Sequence, residues 1–101
     1  MKKFLVGLTV VSLVVLLGGG LALAKDKYIV ASDIPWAPFE MVNEAGEFLG
    51  FDLDLMRAIA HVAGFQIEIK NVAFDAIIEN VRTGQADIGA SGFTITEERE
   101  R

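Results

Sequence analysis

From Phe4 to Ala24 the chain runs 21 residues without a charge, and that run decides what the remainder can be. Lys2 and Lys3 precede it, Gly18-Gly19-Gly20 interrupt it, and Ala22-Leu23-Ala24 close it ahead of Lys25 and Asp26. A basic start, an apolar stretch and small residues at its end compose a cleavable secretory signal. A retained membrane anchor is the competing reading, but the run is barely long enough to span hydrocarbon. The glycines weaken the helix such an anchor needs. The sequence therefore predicts a signal peptide over residues 1–24, cut after Ala24, and a soluble periplasmic product from residue 25 onward. With no Cys in the chain, a lipid-anchored form is excluded.

Lys2 and Lys3 are the only charges in that leader, so residues 25–101 carry 7 Lys and Arg against 14 Asp and Glu. A net charge of −7 argues against a nucleic-acid partner, which requires a basic face toward phosphate. It suits a soluble monomer. The absence of Cys removes disulfides, thiol nucleophiles and thiolate metal sites, and a single His leaves no zinc pair. No phosphate loop or metal-ligand cluster is present, so no cofactor and no metal are expected.

Short apolar runs alternate with helical patterns along residues 25–101. Tyr28–Ser32 reads as a buried strand, and Asp33–Pro38 breaks regularity through its two prolines. Asn43-Glu44-Ala45-Gly46 is a hairpin turn between Phe39–Val42 and Glu47–Gly50. A helix runs from Phe51 or Asp52 to about Ala63, with Leu55, Met56, Ile59, Val62 and Ala63 at helical spacing and Gly64 as its stop. Phe65–Val72 alternates as a strand. A second helix begins at Phe74 or Asp75, buries Ile77, Ile78 and Val81, and ends at Gly84. Ala86–Ala90 is a third strand, Gly92–Thr96 a loop, and Thr96 the N-cap of a helix from Glu97. The expected fold class is α/β, a mostly parallel sheet flanked by helices. Seventy-seven residues with a helix barely begun bury little core, so a fragment is expected.

In such sheets ligands sit beyond the carboxyl ends of the strands. Those ends are Asp33–Phe39, Val72–Asp75 and Ser91–Arg99. Arg99 beside a helix start can hold a carboxylate in two hydrogen bonds, helped by Thr94 and Thr96; local sequence by itself favours the plainer reading, a surface residue paired with a nearby Glu. Trp36 and Phe74 offer flat apolar walls, or ordinary core aromatics. Asp33 can accept hydrogen bonds from an amine, or simply form a turn before Pro35. Asp52 and Asp54 read best as helix-start charges, and His61 as a solvated side chain.

Taken together, Gly50-Phe51-Asp52-Leu53-Asp54-Leu55, continued by Ile59-Ala60 and Ala63, resembles the signature of bacterial extracellular solute-binding proteins of the polar amino-acid family. Ala31-Ser32-Asp33, Pro38-Phe39-Glu40 and Ser91-Gly92-Phe93-Thr94-Ile95-Thr96-Glu97-Glu98-Arg99 follow in the order that family shows, so the resemblance covers residues 28–101. Its members are receptors of ABC importers, two lobes that close on a free amino acid. The resemblance implies that Arg99 grips the ligand's carboxylate and that Thr94 adds its hydroxyl and N–H. It further implies that Gly92 offers a carbonyl to the ammonium, that Trp36 and Phe74 sandwich the side chain, and that Asp33 reads its polar or cationic tip. The glycine–aromatic–acid signature is implied to be structural.

On that resemblance, residues 25–101 are the N-terminal part of a periplasmic-binding-protein-like first lobe, incomplete, with the second lobe absent. The expected function is capture of a polar or basic amino acid, without chemistry, for an ABC permease of the inner membrane. Two alternatives remain: a cyclohexadienyl dehydratase-like enzyme in the same cleft, or the sensing domain of a membrane receptor. An enzyme needs a general acid at the leaving hydroxyl, and Asp33 is the only visible candidate.

Overall fold

The computed structural model describes residues 25–101. The signal segment 1–24, its cut after Ala24 and the alternative anchor lie outside the described residues. Among those described, no helix is long and apolar enough to cross a membrane.

Seven elements follow one another: β1 (Lys27–Ser32), β2 (Met41–Val42), β3 (Phe48–Leu49), α1 (Phe51–Ala63), β4 (Gln66–Asn71), α2 (Phe74–Thr83) and β5 (Ile88–Gly89). Three of the strands form a parallel sheet in the order β4-β1-β5. The chain thus crosses to one side of β1 through α1, then back past β1 through α2. Right-handed crossovers in opposite directions place the two helices on opposite faces. The strand order reverses between β1 and β5, and a crevice opens at the carboxyl ends of such a pair.

One face of the sheet holds a cluster of Ala31, Ile77 and Ala86, with Ile29, Val72, Phe74 and Phe93 packed around it. Alternation along β1 turns Val30 and Ser32 to the opposite face, and both are fully buried. Asp87 ties the sheet at its other end: its Oδ2 accepts the Ile29 N–H at 2.8 Å, and its own N–H donates to the Ile29 carbonyl at 2.9 Å. That backbone bond, with the neighbouring Lys25, holds the Asp87 carboxyl below its ordinary range.

The β2–β3 hairpin forms around Asn43, whose Oδ1 accepts the Glu47 N–H at 2.9 Å. Gly50 follows at φ 127°, and a Cβ there would lie 2.3 Å from the Phe39 carbonyl oxygen, so only glycine lets α1 begin against that backbone. Gly64 and Gly84 close the helices at φ 80° and 81°, as their positions in the sequence predict.

The structure corrects three local expectations. In α1 the buried residues are Leu53, Met56 and Ala60, whereas Leu55, Ile59 and Val62 are exposed. In α2 only Ile77 is buried, with Ile78 and Val81 partly open to solvent. Residues 97–100 form a turn rather than a helix. Thr96 does cap it, accepting the Arg99 N–H at its carbonyl (3.0 Å) and its hydroxyl (3.3 Å). The Glu100 N–H adds a second backbone donor to the same Thr96 carbonyl at 3.2 Å.

Candidate functional site

The loops after β1, β4 and β5 meet at one end of the sheet and are bonded to one another there. Asp33 leaves β1 with its N–H donating to Ser91 Oγ at 2.9 Å, and its Oδ2 accepts the Phe74 N–H at 3.2 Å. One residue on, Ile34 is held by both halves of the Asn71 amide: its N–H donates to Asn71 Oδ1 and its carbonyl accepts from Asn71 Nδ2, each at 3.0 Å. The loop then turns on itself, Trp36 and Glu40 exchanging backbone hydrogen bonds of 2.7 and 2.9 Å. These bonds satisfy the main chain of a proline-broken segment that no sheet could accommodate.

Asp33, Trp36, Phe74, Ser91 and Gly92 line a cleft of about 280 Å³ at this junction. Trp36 is 64% exposed, so it is a wall of the cleft and not a core aromatic. Phe74 does both jobs, packing against the core cluster and presenting its ring to the cleft.

Thr94 and Arg99 do not line this cleft. They border a second, more apolar cavity of about 580 Å³ with Ile77, Val81 and Phe93. Phe74 links the two places, because the Arg99 guanidinium lies 5.4 Å from its ring centroid and 5.5 Å from that of Phe93. Those rings are themselves 4.9 Å apart. Arg99 Nη1 donates to the Thr94 carbonyl at 3.0 Å, and among the described residues Arg99 forms no ion pair with a glutamate. A guanidinium stacked on aromatics and tethered by one N–H keeps most of its donor fork available to an anion.

Four residues shape this site that the sequence did not place in it. Ser91 is 5% exposed and fastens the ends of β1 and β5. Asn71 fixes the Ile34 backbone. Asp52 stands in the first turn of α1 as a helix-start charge, without capping it, and its Oδ2 also accepts the Gly92 N–H at 2.7 Å. Glu40 is fully buried, and both of its carboxyl oxygens lack a donor. Burial, then the neighbouring Asp52 and Asp33, push its pKa up to about 8. Residue type carried the aromatic and Arg signals, whereas these four act through contacts 37 to 58 residues apart or through burial, for which no local pattern exists.

Gly92 sits at φ 57°, with the Trp36 indole and Phe39 ring 3.6–3.8 Å from where a Cβ would stand. Its main chain is thereby fixed between Asp52 on one side and the cleft aromatics on the other.

The family of bacterial extracellular solute-binding proteins, family 3, matches residues 28–101. A probable histidine-binding protein of Neisseria gonorrhoeae is 43% identical over 74 residues, which is 73% of this chain and 28% of that protein. Arginine-binding protein ArgT of Corynebacterium glutamicum is 40% identical over 79 residues, 77% of this chain and 26% of that one. The chain therefore spans less than a third of the length of these curated relatives. Among solved structures, the arginine-bound form of domain 1 from TmArgBP superposes with a TM-score of 0.71 at 39% identity, over 74% of this chain and 60% of that one.

Proposed function

The chain belongs to the bacterial extracellular solute-binding proteins, family 3, and from that premise we propose that it carries a first-lobe site for a free cationic or polar amino acid, serving an ABC permease. The observation that carries this reading is the convergence of Asp33, Trp36, Phe74 and Gly92 on one cleft, with Arg99 stacked on the Phe74 ring. In this reading the Arg99 fork takes the α-carboxylate in two hydrogen bonds, and Thr94 supplies its hydroxyl and N–H beside it. Gly92 turns a carbonyl to the ammonium. Trp36 and Phe74 flank the side chain, and the Asp33 carboxylate receives a cationic or amide tip. An acidic side chain meets Asp33 as a like charge and is disfavoured.

The relatives support a cationic ligand, since those named above bind histidine or arginine. A solved domain 1 in arginine-bound form supports capture by one lobe without its partner. The relatives are binding proteins, and we extend that to this chain: no bond is made or broken. Glu40, the acid with the raised pKa, is fully buried and does not line the cleft, so it is not placed to protonate a leaving group. We further propose that residues 1–24 direct export and are removed after Ala24, leaving a monomer in the periplasm that begins at Lys25. Sequencing the N-terminus of the exported protein tests this, a start at Lys25 supporting it and a retained Met1 contradicting it.

The ligand is tested by a thermal-shift screen of the twenty free amino acids. A true ligand at about 100-fold over its dissociation constant adds about 2.7 kcal/mol of stability. A shift with arginine, lysine, histidine or glutamine, and none with glutamate or aspartate, is the expected result. A shift confined to acidic amino acids, or none at all, overturns the assignment.

A further inference from the structure

Glu40 is the residue whose surroundings the site does not explain. Its main chain is locked by the paired hydrogen bonds to Trp36, and its side chain is 0% exposed. The charged groups that face it are Asp52, from the first turn of α1, whose N–H donates to the carbonyl of the adjoining Phe39 at 3.1 Å, and Asp33, from the loop after β1. Both are acids. Were Glu40 ionised, it would be a buried carboxylate with no donor on either oxygen and two like charges beside it. As a carboxylic acid it owns an O–H, and Asp52 is the acceptor in reach.

Asp52 is already committed on one side. Its Oδ2 takes the Gly92 N–H at 2.7 Å. Protonated, Glu40 can donate to Asp52, and Asp52 already holds the Gly92 amide, so a path leads from the Glu40 carboxyl through Asp52 to Gly92. Gly92 has a left-handed backbone at φ 57°, which glycine adopts as readily as a right-handed one, so its place in the cleft depends on outside contacts such as this bond. We propose that Glu40 is a positioning residue that holds a proton, and that this proton, passed as a hydrogen bond to Asp52, fixes Gly92 in the cleft. Loss of the proton places charged Glu40 against Asp52, turns the carboxylate pair repulsive, and frees the Gly92 loop. The consequence for ligand affinity rests on the amino-acid site proposed above, whereas the coupling of Glu40 to Gly92 does not.

The experiment follows the Glu40 side-chain carboxyl ¹³C signal and the Gly92 amide signal by NMR from pH 6 to 9 on the protein without ligand. Both should titrate with a shared midpoint near 8. In Glu40→Gln, which stays neutral and still donates a hydrogen bond, the Gly92 signal should lose that titration. A Glu40 midpoint in the usual carboxylate range overturns the proposal in the unaltered protein, whatever the variant does. So does a Gly92 titration that persists in Glu40→Gln. A role in packing alone would leave Gly92 indifferent to pH. In a binding assay, one pH unit above the midpoint leaves about a tenth of molecules protonated, so arginine affinity should fall about tenfold in the unaltered protein and not in Glu40→Gln. A protein that binds no amino acid at any pH removes the ligand reading, while the shared titration of Glu40 and Gly92 still upholds the coupling.

Discussion

Asp33 and Phe74 are joined across two loops: the Asp33 carboxylate accepts the backbone N–H that opens α2, at 3.2 Å. Asp33 also lines the cleft, so in the proposed site one of its oxygens positions the aromatic wall while the other would receive a ligand. Asp33→Asn preserves an acceptor for Phe74 but removes the negative charge. A hydrogen bond to a charged group contributes about 1.5–3 kcal/mol, so affinity for a cationic amino acid should drop about tenfold to a hundredfold. Affinity for glutamine should fall much less. Calorimetry with both ligands on both proteins decides it, and an equal loss for each would remove Asp33 from side-chain recognition.

Arg99 carries the heaviest assignment. Truncating one partner of a desolvated, hydrogen-bonded charge pair costs about 2–5 kcal/mol, so Arg99→Ala should weaken amino-acid binding by roughly thirtyfold or more. The cation–aromatic contacts it loses contribute about 0.5–1 kcal/mol at an exposed site, so stability in urea should change little. Arg99→Lys keeps the charge without the fork and should restore only part of the affinity. Full affinity in Arg99→Ala would contradict the carboxylate clamp.

The two apolar stripes of α1 make opposite predictions for stability. Leu53 is fully buried, and Leu53→Ala should cost about 2–5 kcal/mol in chemical denaturation. Leu55 is 48% exposed, and Leu55→Ala should stay within about 0.5 kcal/mol. Similar losses from both would mean that the exposed stripe is covered in solution.

Glu40 also sets the sign of a pH effect on folding. Its pKa is raised in the folded protein, from 4.5 to about 8, so the folded state holds a proton that the unfolded chain has released. Its contribution to stability is complete below about pH 4.5 and is lost as pH rises toward 8. Urea midpoints from pH 5 to 8.5 should therefore decline more steeply in the unaltered protein than in Glu40→Gln. Parallel profiles would show that Glu40 is ionised in the folded state.

Much of the architecture was legible because its signals are local. Gly64 and Gly84 end their helices, Asn43–Gly46 turns the hairpin, and β4 and β1 pair in parallel as the alternation of strands and helices implies. The order of strands then placed the cleft, and Asp33, Trp36, Phe74 and Gly92 came together there. The inward face of α1 was not legible. Leu53, Met56 and Ala60 recur at helical spacing, and so do Leu55, Ile59 and Val62, so periodicity cannot choose between them. The choice is made by how the helix seats against the rest of the chain, where Gly50 lets it start close to the Phe39 backbone, and periodicity does not carry that. Asp52 does stand in the first turn of α1, but its second role was not legible for a related reason. An acid in the first turn of a helix satisfies a local rule, and its bond to Gly92 spans 40 residues. Glu40 has an ordinary sequence neighbourhood, and only burial beside two other acids makes it unusual.

The most direct measurement is isothermal titration of the purified protein with free arginine, with argininamide as the control lacking a carboxylate. Saturable one-site binding of arginine, and its loss with argininamide, is what a site built on Arg99 and Asp33 predicts. Equal binding of the two would contradict the carboxylate clamp, and no saturable binding of arginine or any other cationic or polar amino acid would contradict the site itself.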